Sequence, residues 1–242
     1  MKVTKLPFNP GPAAWNAILP PDRGHPKLNS HEKTDWLIIG AGFAGLSAAR
    51  RIQLNRPVDR ITILDAQRLA EGAAGRNSGF MIDLPHDLVS KDYGGCIHED
   101  RKKIKQNRLA INFAKKMVYD LGVPNEAFQE VGKVNAAATA TGIQHNLNYK
   151  THLTHLKENF ELYDAKQMKE LTGTGYYLGG LFTPGTVMLQ PALYIRELGK
   201  KLISKKLNIH ENSPVVSLIQ KGRDWHAKTP KGSIITQKII MA

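Results

Sequence analysis

The residues whose types and spacing point to chemistry lie early in this 242-residue chain, at Gly40-Ala41-Gly42-Phe43-Ala44-Gly45 and at Asp65. The G-x-G-x-x-G pattern predicts a turn with one task for each glycine. Gly40 closes the turn, Gly42 lets the backbone approach a pyrophosphate, and Gly45 lets a helix lie close to a strand. The pyrophosphate then sits at the start of that helix, at Phe43 and Ala44, where free amides and the helix dipole favour an anion. Asp65 stands twenty residues after Gly45, at the end of a second strand, where a carboxylate can accept both hydroxyls of a ribose. An acid there repels a 2′-phosphate, which argues against NADP. FAD and NAD both stay open on this motif.

The elements that must position these residues are legible in the periodicity. Asp35-Trp36-Leu37-Ile38-Ile39 is a short apolar run ending in glycine, as a buried parallel strand does. Phe43–Leu54 reads as an alanine-rich helix, and Arg60–Asp65 as a β-branched strand ending in a carboxylate. Strand, glycine turn, helix and strand make one βαβ unit. Further along, helices are predicted at 98–121, 141–159, 165–171 and from Pro191 to Leu202. Strands are predicted at 131–139, 160–163, 175–183, 207–210, 215–219, 225–228 and 233–236, and a last one begins at Lys238. The first 34 residues carry six of the thirteen prolines, which predicts an extended arm rather than a packed element. Trp15 and Phe8 are its candidate apolar anchors.

A second glycine-rich segment, Gly72-Ala73-Ala74-Gly75-Arg76-Asn77-Ser78-Gly79-Phe80, follows the second strand. Its arginine suits anionic phosphates, and its small residues admit a flat ring system. Here the sequence resembles the D-amino-acid-oxidase-like superfamily of FAD-dependent oxidoreductases, and within it the glycine/sarcosine oxidase and gamma-glutamylputrescine oxidase branch. That branch carries a G-A-S-G-R-N-G-G-like loop near the flavin, kept here with Ala74 and Ser78 substituted. The segment Asn212-Ser213-Pro214-Val215-Val216 resembles the place where a valine backbone meets the adenine, with Val216 the better candidate. Val187–Pro191 resembles the turn into the preceding helix, and Lys238–Ala242 the strand leading into a turn under the FAD.

The resemblance implies FAD as cofactor, with Gly40, Gly42, Phe43, Ala44, Gly45, Asp65, Ala66, Gly75, Arg76, Asn77, Ser78, Gly79, Val216 and Ala242 around it. It implies an α/β fold: a Rossmann-like, glutathione-reductase-like FAD-binding domain at 35–90 and 189–242, behind a proline-rich arm at 1–34. A partial α+β substrate domain is inserted at 91–188. Family members continue well beyond the position of Ala242, so the fold is expected to be C-terminally incomplete. The implied reaction is oxidation of the C–N bond of an amine or amino acid by hydride transfer to flavin. The flavin does the hard step, so no catalytic acid–base pair is required of the chain. Two alternatives are a truncated, non-catalytic FAD-binding remnant and an FAD-dependent tRNA-modifying enzyme.

Other candidates weigh less. His152 and His155 lie three apart on a predicted helix with His145 before them, but no carboxylate joins at metal-ligand spacing, so exposed polar histidines are expected. Cys96 has no nucleophile's neighbours and reads as a small apolar residue. Tyr176 and Tyr177 suit either an amine pocket or, preferentially, a strand's packing face.

Composition bounds the rest. One cysteine excludes a disulfide framework and a cysteine-built metal site. At 41% hydrophobic residues the chain is no disordered polymer, and no run approaches the ~18 apolar residues of a membrane span. The N-terminus lacks the apolar core of a secretory signal, so a soluble cytoplasmic protein is expected. A net charge of +13 is the footprint of a nucleic-acid binder, yet the excess is diffuse. Neither the run Arg101–Lys116 nor the stretch Arg196–Lys238 interleaves the aromatics of a base-stacking surface, so solvated basic faces are expected and a nucleic-acid partner is not.

Overall fold

Four apolar residues after Asp35 form strand β1 (Trp36–Ile39), and Phe43–Asn55 forms helix α1. Arg56-Pro57 ends that helix, and Ile61–Leu64 returns as β2, buried at all four positions. The computed structural model describes residues 2–6, 11–87, 90 and 93–242. It divides into two units, one of Met1–Ser78, Met117–Ala127 and Gln190–Ala242, the other of Gly79–Lys116 and Phe128–Leu189.

In the first unit, helix α2 (Pro191–Leu202) leads into β3 (Leu207–His210), and Lys238–Met241 forms β4. The four strands make a parallel sheet in the order β3-β2-β1-β4, in register Leu207↔Ile61, Trp36↔Ile61 and Lys238↔Trp36. Both sheet faces are covered, which is why the strands are continuous apolar runs rather than alternating ones. Ile38 points to α1, where its side chain lies against Gly45. Leu37 and Leu64, with Ile39 and Ile239 beside them, join a cluster holding Leu218, Ala227 and Ile234. Those last three come from a second sheet, in the order His31–Lys33, Ser233–Thr236, Asp224–Lys228, Ser217–Lys221. The two helices meet where the Phe43 and Tyr194 rings lie 5.8 Å apart.

The proline-rich start is not simply an extended arm. Ala14–Ala17 is a short helix, Ala13 and Leu28 are buried, and His31–Lys33 pairs in parallel with Ser233–Thr236. Proline restricts φ and removes donors, but it leaves the carbonyls and the neighbouring amides free to bond elsewhere. Trp15 is half-buried; Phe8 lies outside the described residues.

The second unit contains two three-stranded antiparallel sheets, Phe80–Met81 with Val187–Leu189 and Phe128–Gln129, and Lys133–Ala137 with Gly179–Thr183 and Glu161–Asp164. Its core gathers Leu84, Ile104, Tyr149, Leu153, Leu156 and Leu181. Helix Ala140–Leu156 is capped by Thr139 and stops at Lys157, which turns left-handed at φ 64°. Asp164 and Gln167 form a reciprocal capping box for Ala165–Thr172, which ends at Gly173. The strand expected at 175–183 begins only at Gly179: residues 175, 176 and 178 are exposed, and Leu178 reaches the neighbour strand through its amide, which donates to Ala137 O at 2.8 Å. No helix of the described residues is long and apolar enough to cross a membrane.

Candidate functional site

The glycine turn sits at the carboxyl ends of β1 and β4. Gly40 has φ +105°, and a Cβ there would run into the Ala242 carbonyl oxygen. A Cβ on Gly45 would collide with the Gly40 carbonyl and press on Ile38. Both glycines are therefore required by the chain's own packing. Gly42 differs. A Cβ there would meet only the Ala74 Cβ, at 3.5 Å, an ordinary contact. The protein leaves room at the one position where the fingerprint reserves backbone for close approach by a phosphate. Helix α1 begins at this point with no side-chain cap and no acid in its first turn, so its leading amides are available to an anion. Phe43 is half-buried against Tyr194, whose hydroxyl pKa is raised by burial, and Ala44 is exposed.

Asp65 closes the other side of the turn. Its Oδ2 accepts the Ala41 amide at 2.8 Å and its Oδ1 accepts the Gln67 amide at 2.9 Å. The backbone is pinned as well, since Asp65 N donates to His210 O and Asp65 O accepts from Ser213 N. Each carboxylate oxygen keeps further acceptor capacity, so the side chain can serve the turn and a ribose together. Ala66, next along, is half-buried.

The second glycine-rich segment meets the first at Gly42 and Ala74. It contains one 3₁₀ turn, Ala73–Gly75, in which a Cβ on Gly75 would strike the Ala70 carbonyl. Asn77 folds back, its Nδ2 donating to Ala74 O at 2.7 Å. Arg76 has three partners within the chain: Nε donates to Glu71 O at 2.8 Å, a terminal nitrogen donates to Gly11 O, and the Glu71 carboxylate lies 3.6 Å away. Ser78 is exposed and ends the first unit. Gly79, at φ +81°, belongs to the second, where its carbonyl accepts from Leu189 N.

Val216 spends both backbone groups on the chain, its amide on Lys228 O at 2.8 Å and its carbonyl on Val3 N at 3.0 Å. The neighbouring Val215 instead lines an apolar cleft of about 370 Å³ with Val3, Ile39, Leu218, Met241 and Ala242. The sequence favoured Val216, but which of the adjacent valines is paired depends on the register with the strand Asp224–Lys228.

In the second unit, His152 corrects the expectation of exposed histidines. It is buried, its Nε2 lies 2.9 Å from Asp100 Oδ2, and its ring stacks on Tyr149. The partner lies 52 residues away, beyond any spacing rule. His155 is exposed, and His145 contacts the Tyr93 hydroxyl at 3.3 Å. Tyr176 and Tyr177 pack edge to face on one another outside the strand, so neither lies on its packing face. Arg108 bridges buried Asp83 at 2.9 Å and Glu158, whose hydrogen bonds raise its pKa. No group of three metal-ligating side chains occurs among the described residues.

Comparison with known proteins gives four findings. The family model described as FAD dependent oxidoreductase matches residues 35–242. A probable oxidoreductase OrdL of Haemophilus influenzae is 28% identical over 222 residues, 90% of this chain and 50% of that protein. The gamma-glutamylputrescine oxidoreductase of Escherichia coli is 33% identical over 70 residues, 28% of this chain and 16% of that protein. Among solved structures, glycine oxidase from Geobacillus kaustophilus superposes with a TM-score of 0.69 at 15% identity, over 87% of this chain and 55% of that one. That likeness carries the fold: a glycine-oxidase-like α/β architecture. The chain spans about half the length of the OrdL proteins it matches.

Proposed function

The chain belongs to the family of FAD-dependent oxidoreductases, and on that premise we propose that it serves oxidation of the C–N bond of an amine or amino acid, with a hydride equivalent passing to flavin. The observation that carries the cofactor's place is the junction at Gly42, where two glycine-rich segments meet, an uncapped helix begins and the chain leaves room. Gly42, Phe43 and Ala44 would hold the pyrophosphate by backbone amides, Gly40 and Gly45 shape the turn, and Asp65 accepts the ribose hydroxyls. The apolar cleft beside Val215, Met241 and Ala242 suits the adenine, in preference to the Val216 backbone. When bound, FAD supplies the acceptor for the hydride equivalent.

In this reading the first unit is the FAD-binding domain and the second is the substrate domain. The names of the glycine oxidase and the gamma-glutamylputrescine oxidoreductase support an amine or amino acid as the substrate class. A cytoplasmic setting and the absence of a nucleic-acid partner belong to the same proposal. Basic residues of the helix Ile97–Leu121 engage neighbouring groups, as in Lys115 with Glu130 at 2.8 Å and Lys103 with Asp100 at 3.9 Å.

The test is anaerobic mixing of the FAD-loaded protein with glycine, sarcosine and small primary amines. Bleaching of the visible flavin band by one of these supports the proposal. A flavin that dithionite bleaches and every amine leaves oxidised overturns it.

A further inference from the structure

The segment preceding β1 is fastened to the flavin-side loop in a particular way. Side chains of the body bond to the backbone of the segment at Ala13, Trp15, Pro20, His25 and Leu28, and the side chains of Trp15 and Asn16 add two ties of their own. Glu71 accepts the Ala13 amide at 3.3 Å and the Asn16 Nδ2 at 3.1 Å, while its own carbonyl and carboxylate hold Arg76. Glu211, buried to 2% exposure, accepts the His25 amide at 3.0 Å with one oxygen and the Leu69 amide at 2.8 Å with the other. Each carboxylate thus ties the segment to the loop that runs from Leu69 to Asn77.

Trp15 makes a third tie. Its Nε1 donates to Asn77 O at 2.8 Å, and its carbonyl accepts from Gln190 Nε2 at 2.9 Å. Gln190 in turn caps α2 through Leu193 N at 2.7 Å. The Trp15 side chain therefore fixes the end of the loop relative to a helix terminus. Farther along, Arg196 donates to Pro20 O at 2.7 Å and the Ser213 hydroxyl accepts the Leu28 amide at 2.9 Å. The prolines limit the conformations the free segment can adopt, which lowers the ordering cost of docking it.

We propose that residues 11–28 are a positioning strap, whose ties at Trp15, Glu71 and Glu211 hold loop 69–77 in the shape that accepts FAD. In this account Arg76 belongs to the seam between strap and loop: Gly11 O and Glu71 occupy its donors, and its task is to shape the backbone that faces the cofactor. Trp15 and Glu71 are positioning residues, acting through Ala74 and Asn77. The proposal rests on the FAD site described above, and its test separates the two.

The experiment measures amide hydrogen exchange across residues 67–78 in the FAD-free protein, together with FAD affinity, for wild type, Trp15→Phe, Glu71→Gln and Glu71→Ala. Glu71→Ala should speed exchange in the loop and weaken FAD binding about tenfold, the weight of one charge-assisted hydrogen bond. Saturating FAD should restore both loop protection and the flavin absorption band. Glu71→Gln keeps one acceptor oxygen for the two donors, Ala13 N and Asn16 Nδ2, that bond to separate carboxylate oxygens, and should recover part of the affinity lost in Glu71→Ala. Trp15→Phe keeps an aromatic ring, loses the pyrrole half of the indole with its donor to Asn77 O, and should loosen residues 74–78 selectively. Unchanged loop exchange in both Trp15→Phe and Glu71→Ala overturns the strap, as does a loss of protection spread evenly over the first unit. Wild-type protein that binds no FAD overturns the flavin site itself, whereas loop exchange in the FAD-free variants reports on the ties alone.

Discussion

Asp65 holds the glycine turn through Ala41: its Oδ2 accepts the Ala41 amide at 2.8 Å, one residue from the two glycines that close the turn. The carboxylate is thus part of the turn's architecture as well as a ribose acceptor. Its removal should act on both. Asp65→Ala should lower stability by about 1.5–3 kcal/mol, the range for a hydrogen bond to a charged group. It should weaken FAD binding beyond what the stability loss explains. Asp65→Asn keeps one acceptor, for Ala41, but turns its NH2 toward the Gln67 amide, and should recover part of the stability without recovering the affinity. Urea unfolding of the FAD-free protein and a flavin titration read the two effects separately.

The glycines divide by cause, and substitution should divide them likewise. Gly45→Ala places a methyl against the Gly40 carbonyl and Ile38, where neither backbone nor sheet can withdraw. It should destabilise the FAD-free protein by about 2–3 kcal/mol, as overpacking of a rigid site does. Near wild-type urea unfolding for this variant would contradict the close approach of helix and turn at Gly45.

Asp83 in the second unit is fully buried and depends on Arg108, which donates to its Oδ2 from both Nε and Nη2 at 3.1 and 2.9 Å. Arg108→Met leaves a buried carboxylate without its cation and should cost about 2–4 kcal/mol, toward the low end for a broken buried pair because the arginine is partly exposed. Asp83→Asn in the same chain should restore most of that loss. Thermal unfolding of the single and double variants checks the coupling.

Acid should weaken the fold through His25 and His86. Burial holds both imidazoles below their ordinary value of 6.5, with Lys133 adding to the effect at His86. At neutral pH and above, both are neutral folded and unfolded, and they contribute no pH dependence. Below 6.5 the unfolded chain takes up protons that the folded chain resists, so stability falls with falling pH. His25→Gln should flatten the dependence of Tm on pH between 7 and 5.5. An unchanged slope in that variant would assign the effect to other groups.

How far the fold could be read depended on how local its signals were. Trp36–Ile39, Phe43–Asn55 and Ile61–Leu64 lie at the expected positions because a parallel strand buried on both faces and an alanine-rich helix mark themselves within a few residues. Phe80–Met81 and Phe128–Gln129 are two-residue strands, too short to show a period. The proline-rich start was visible, with Trp15 as a candidate apolar anchor, but its partners were not, because most of its bonds run to backbone atoms that every sequence carries. The burial of His152 depends on Asp100, and the engagement of Val216 on Lys228, in each case through a partner set by the tertiary fold. At the candidate site, the glycines and Asp65 were legible from spacing. Glu71 and Glu211 were not, since a lone acid at no fixed offset carries no signal, and Trp15 was legible as an apolar anchor but not as a donor to Asn77 O.

The most direct test is an equilibrium titration of the FAD-free protein with FAD, for wild type and Gly42→Ala. A methyl at Gly42 meets only the Ala74 Cβ at 3.5 Å, so the variant should unfold within about 0.5 kcal/mol of wild type. It should nevertheless lose at least about tenfold in FAD affinity, because the methyl occupies the approach to the pyrophosphate. Wild type should bind one FAD per chain, undisturbed by NAD. A folded Gly42→Ala protein that binds FAD as wild type does, or a folded wild type that leaves the flavin spectrum unchanged, would contradict the account.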